Sequence, residues 1–134
     1  MAKLEVIEGI GTKYQATLKK AGIRSIEALL KKGRTPKGRA DLEAKTGIGG
    51  KLILEWVNHA DLFRIKGVGS EYSDLLEEAG VDTVVELAQR KGENLHQAML
   101  DTNAKKKLVR RPPSLNNVKD WIAQAKKLPR LIQY

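Results

Sequence analysis

The chain has no cysteine, two histidines, four prolines and 4% aromatic residues among its 134 residues. Without thiols there is no disulfide framework, no thiolate metal site and no cysteine nucleophile. His59 and His96 stand 37 positions apart with no carboxylate cluster around them, and they read as surface or cap residues. Asp41, Glu43 and Glu55 are spaced for a helix surface rather than for a metal, and no Ser-His-Asp set can be assembled. No enzyme, metal or cofactor is therefore expected. No apolar run approaches the roughly 20 residues of a membrane span. Residues 1–6 lack the apolar stretch of a signal peptide. The expectation is a cytoplasmic protein with no membrane partner.

What the chain does have is a repeat. At an offset of 58 residues, Ile7-Glu-Gly-Ile-Gly-Thr-Lys-Tyr14 matches Ile65-Lys-Gly-Val-Gly-Ser-Glu-Tyr72. Over 24 positions eight pairs are identical, and five more are Ile/Val or Ser/Thr exchanges, as a shared buried geometry permits. Trp56 with Ala60 echoes Trp121 with Ala125 after an insertion that shifts the register. The halves are read as residues 1–62 and 63–134, forming one compact unit. Within each, apolar residues recur at helical spacing: Tyr14, Leu18, Ala21; Ile26, Leu29, Leu30; Leu52, Ile53, Trp56, Val57, Ala60; Leu115, Val118, Ile122, Ala125. Thr12 with Gln15 and Thr83 with Glu86 have capping-box spacing, Ser25 is a ready N-cap, and Thr35-Pro36 predicts a helix ending near Thr46. Gly22 suits a helix end in the left-handed conformation. With no sustained period-two alternation, the fold class is all-α, a compact array of short helices. The tryptophans, with Tyr14 and Tyr72, read as core.

Gly-hydrophobic-Gly occurs three times, at Gly9-Ile10-Gly11, Gly47-Ile48-Gly49 and Gly67-Val68-Gly69, each just before a predicted helix. The aliphatic residue anchors the turn, and the following helix starts with unpaired N–H groups that favour a phosphate oxygen. This is neither a dinucleotide fingerprint nor a P-loop, because no strand precedes it and the further glycine and lysine spacing is absent. At these residues the chain resembles helix–hairpin–helix proteins, and more closely a small bacterial family of tandem helix–hairpin–helix repeats. The family loop ends in a small residue, usually Ala, where this chain has Gln15, Ile53 and Ser73. The resemblance implies sequence-independent binding of DNA backbone phosphates by the hairpin amides, with a Lys or Arg nearby, and in some hairpins a monovalent cation. The residues it points to are Gly9, Ile10, Gly11, Thr12 and Lys13, then Gly47, Gly49, Gly50 and Lys51.

Charge separates the copies. Lys13, Lys19, Lys20 and Arg24 align with Glu71, Glu77, Glu78 and Asp82, so the third loop should repel phosphate and reads as structural or as a protein-binding face. Residues 1–64 carry 13 basic and 7 acidic groups, residues 65–101 carry 3 and 8, and residues 102–134 carry 9 and 1. The densest cluster, Lys105, Lys106, Lys107, Arg110 and Arg111, precedes Pro112-Pro113 and reads as a basic loop at the position of the Gly47 hairpin. Clustered cations release counterions when they neutralise phosphates, which gives salt-sensitive, sequence-independent affinity. The expected function is non-enzymatic DNA binding, with RNA as a possible partner. The alternative is a protein-interaction or self-assembling scaffold in which the acidic 65–101 segment meets a basic face.

Overall fold

The computed structural model describes residues 3–7 and 9–134. Met1, Ala2 and Glu8 lie outside the described residues, and with them part of the leader reading and one position of the first glycine loop. The described residues form a 3-10 turn at Leu4–Val6 and eight α-helices, with no strand among them, in agreement with the apolar periodicity. None of these helices is long and apolar enough to cross a membrane. The chain divides into two compact units, Met1–Asp61 with Leu131–Tyr134, and Leu62–Arg130.

The first unit contains α1 (Thr12–Lys20), α2 (Ile26–Gly33), α3 (Pro36–Thr46) and α4, which runs from Gly50 to Leu62. Helix α1 starts one residue earlier than capping-box spacing implies, so Thr12 is its first residue rather than its N-cap. Gly11 is the N-cap, and Gln15 turns its amide back to the Ile10 carbonyl at 3.5 Å. The helix closes in a Schellman motif around Gly22, whose φ is +89°: Ile23 N–H reaches the Leu18 carbonyl at 2.9 Å and Gly22 N–H that of Lys19 at 3.0 Å. Ser25 then caps α2 by accepting from Ala28 N–H at 3.1 Å, and Thr35 caps α3 by accepting from Gly38 N–H at 3.0 Å. A Cβ on Gly38 would stand 1.8 Å from the Lys32 carbonyl oxygen, so only glycine lets α3 pass α2 this closely. The C-terminal residues are tied to this unit: Arg39 donates to the Gly33 and Gln133 carbonyls at 2.8 Å each, and Gln133 N–H to that of Arg34 at 2.7 Å.

The second unit contains α5 (Ser70–Glu78), α6 (Val84–Ala88), α7 (Gly92–Lys106) and α8 (Leu115–Lys127). The Schellman motif recurs at the same offset, with Gly80 at φ +100° and Val81 N–H bonded to the Leu76 carbonyl at 2.8 Å. Leu75, Leu76, Val81, Leu87, Leu95, Met99, Val118, Trp121 and Ile122 form one buried cluster, closed by α6 and α7 against α8. The capping box predicted at Thr83 does not close. Glu86 instead accepts from Asp82 N–H at 3.2 Å and from the Thr83 hydroxyl at 3.5 Å, and α6 is only five residues long. A full box does form at Ser114 with Asn117, at the start of α8.

Two single-residue expectations fail. His59 is 4% exposed, because it shares the inward face of α4 with Trp56 and Ala60. Tyr14 is 37% exposed and packs only its edge on Trp56, with ring centroids 5.0 Å apart and planes at 65°.

Candidate nucleic-acid interface

Each glycine loop buries its aliphatic residue and turns its glycines outward. Ile10, Ile48 and Val68 are 4%, 6% and 5% exposed, while Gly9, Gly11, Gly47, Gly49, Gly67 and Gly69 lie at the surface. Gly9 (φ +93°) and Gly67 (φ +99°) make the sharp turn in a backbone region costly for other residues. Each sits over an indole: a Cβ there would lie 3.6 Å from Trp56 Nε1 and 3.1 Å from Trp121 Nε1. Tyr72 leans on Trp121 at 5.2 Å as Tyr14 leans on Trp56. Gly11 and Gly69 are the extended N-caps of α1 and α5, with Gln15 N–H bonded to the Gly11 carbonyl and Ser73 N–H to that of Gly69. The amides of Thr12, Lys13 and Tyr14, and of Ser70, Glu71 and Tyr72, precede the first intrahelical bond of their helices. A Cβ at Gly11, Gly49 or Gly69 would meet nothing within 4 Å, so the approach to these helix starts is open. At the positions aligned with Gln15, Ile53 and Ser73 are fully buried, and Ser73 bonds back to the Ser70 carbonyl at 3.0 Å.

The surroundings differ from loop to loop. At the first, Thr12 and Lys13 are exposed, and Lys3, Lys19 and Arg24 surround a separate cleft of about 250 Å³ on the side of α1. At the second, Gly47 caps α3 at φ +74°, its N–H bonded to the Glu43 carbonyl at 2.8 Å. Lys51 is exposed, but Glu43 Oε2 lies 2.7 Å from where a Cβ on Gly50 would stand, so a carboxylate already occupies the start of α4.

The third loop is not the purely acidic place its local sequence suggests. Gly67, Gly69, Ser70, Glu71 and Tyr72 line a cleft of about 400 Å³ together with Arg110 and Arg111. The arginines come from the connection between α7 and α8, whose path the sequence reading missed. Lys105 and Lys106 are not in a loop but in the last turn of α7, where cations favour the helix dipole, and Lys106 pairs with Glu78. Lys107 ends the helix in the left-handed conformation at φ 52°, as Gly47 ends α3. Asn103 then brackets Val109, donating to its carbonyl at 3.1 Å and accepting from its N–H at 2.9 Å. Tyr72 donates its hydroxyl to the Arg111 carbonyl at 3.0 Å, and His96 Nε2 donates to the Pro113 carbonyl at 3.0 Å. Residues 108–113 of the connection are thus a held loop, and its arginine side chains have no ion-pair partner among the described residues. Gln124 fixes the other wall, bonding Lys66 N–H at 2.8 Å and the Lys66 carbonyl at 3.0 Å. The start of α7 differs again: Glu93 takes a backbone N–H there and pairs with Lys119 at 3.1 Å, and these bonds hold its pKa below the ordinary carboxylate value.

Folding also rearranges the charge. The acidic 65–101 and basic 102–130 stretches lie in one unit, so residues 62–130 carry 13 basic and 9 acidic groups. The first unit carries 12 and 7, and both are net cationic.

Among the described residues the chain is all-helical, and two of its three Gly-hydrophobic-Gly turns lie over a tryptophan and start a helix. Residues 8–128 match the family described as a domain of unknown function (DUF4332), and the chain belongs to that family. No curated protein and no solved structure is significantly similar to it.

Proposed function

We propose that this is a cytoplasmic, non-enzymatic protein that binds nucleic acid, foremost DNA, through backbone phosphates and without reading sequence. Its glycine loops would then be hairpins of the helix–hairpin–helix type. The observation that carries the reading is the open first loop: a solvent-facing Gly9-Ile10-Gly11 turn, a helix start whose N-cap, Gly11, has no side chain to cap it, and an exposed Lys13, with Ile10 and Trp56 holding the turn from below. Backbone N–H groups at a helix start recognise a phosphate oxygen and nothing of the bases, so sequence independence follows from the geometry. The net positive charge of each unit supports the same partner and weighs against the scaffold alternative, which needs a strongly acidic body to meet a basic one.

Equilibrium binding to short duplexes of two unrelated sequences tests the reading. Equal affinities at about 50 mM salt that fall by a factor of ten or more at about 200 mM are expected. Absence of binding at the lower salt, with salt-sensitive self-association in its place, would establish the scaffold alternative instead.

A further inference from the structure

We infer that the cleft between the third glycine loop and Arg110 and Arg111 is a phosphate-binding site assembled from two distant parts of the chain. The inference rests on the phosphate-backbone reading above, and it moves part of the binding to a loop whose own sequence is acidic. Three observations carry it. A cleft of about 400 Å³ exists there, and both arginines line it. Neither guanidinium is used elsewhere among the described residues, and two adjacent guanidiniums offer forked donors suited to the oxygens of a phosphate.

The third observation is that the loop is held in place before any ligand arrives. Its restraints, from Tyr72, Asn103 and His96, all act on backbone groups, so the arginine side chains stay available while the chain that bears them is fixed. Fixing the loop in advance removes an ordering cost from binding, which a flexible basic tail would have to meet. Glu71 is the one carboxylate lining the cleft, and it opposes an anionic ligand. The site therefore binds phosphate with an affinity that Glu71 holds down, and its removal strengthens binding. The phosphate can be an internal diester or the doubly charged terminal group of a strand, and both present the same oxygens.

Titration of the full-length, ¹⁵N-labelled protein tests this, with inorganic phosphate and with short duplexes bearing either 5′-hydroxyl or 5′-phosphate ends. The amide signals of Ser70, Glu71 and Tyr72 should shift with both probes. Replacing Arg110 and Arg111 together by Ser should abolish those shifts and leave the shifts of Thr12 and Lys13; the restraints on the loop do not involve the two side chains, so the rest of the spectrum should hold. Glu71→Gln should tighten binding at least about twofold. A stronger response to 5′-phosphate ends assigns the site to strand termini, and equal responses assign it to the backbone. Duplex binding that moves Thr12 and Lys13 but not residues 70–72 overturns the cleft and spares the general reading. Phosphate shifts at residues 70–72 with no duplex binding sustain the cleft and overturn the nucleic-acid reading. No shift with either probe overturns both.

Discussion

The loop before α1 and the loop before α5 share a backbone and differ in everything around it. Both turn on a glycine near φ +95°, both sit over an indole, and both lead into a helix of nine residues that ends in the same Schellman motif. At the first, the cation is local, the exposed Lys13, with Lys19 and Arg24 at a separate cleft on the side of α1. Around the third, the local groups are acidic and the cations arrive from residues 110 and 111, about forty positions along the chain. The backbone of a glycine loop is set by short-range rules, whereas its electrostatic character is set by whatever the tertiary fold delivers to it. Sequence alignment of the two copies sees the first and is blind to the second.

Substitutions can break this comparison at the level of folding. The largest effect is expected at Gly38. A methyl group would meet the Lys32 carbonyl, a backbone atom that cannot swing aside, so Gly38→Ala should cost about 3 kcal/mol of stability in a denaturant titration. Gly92→Ala, where the neighbour at 2.9 Å is the flexible Lys119 side chain, should stay within about 0.5 kcal/mol of the parent. Next come the turn glycines. Gly67→Ala should cost about 2 kcal/mol and Gly9→Ala about 1 kcal/mol, because both force a left-handed backbone but only the former also crowds its indole. Equal costs would mean that the indoles support the two turns alike.

Other changes sharpen the comparison at the level of binding. Gly11→Ala and Gly69→Ala should fold normally, since both positions have extended backbone and no neighbour within 4 Å. Their added methyl groups would stand where a phosphate approaches, so duplex affinity should fall by about tenfold at each, measured at low salt. The smallest effect is expected at the second loop: Glu43→Gln removes a carboxylate beside Gly50 and should raise affinity by no more than about threefold.

Much of the fold was legible. Ser25, Thr35 and Gly22 act through contacts only a few residues away, and such punctuation can be read directly from the sequence. The burial of Ile10, Ile48 and Val68 followed from the loop pattern for the same reason. His59 was placed at the surface and is buried, because its neighbours in the stripe determine that the α4 face turns inward while polarity alone argues the opposite. Tyr14 and Tyr72 differ in burial although they align, since only Tyr72 is covered by a loop, the one that its hydroxyl bonds at Arg111. The basic run was visible as charge but not as structure. Asn103 gave the one available signal, because a left-handed helix end at Lys107 leaves its side chain free to bracket the next residues.

The slope of log K against log salt for a short duplex, measured on the parent, Lys13→Glu, and the double variant Arg110→Ser with Arg111→Ser, tests the central claim most directly. If both loops hold phosphates, the parent slope should fall by about one unit in the first variant and by about two in the second, with some binding left in each. A double variant that abolishes binding, beside a Lys13→Glu protein whose slope and affinity match the parent, would contradict the account: the arginines would then bind alone, and the glycine loops would serve only to hold the helices.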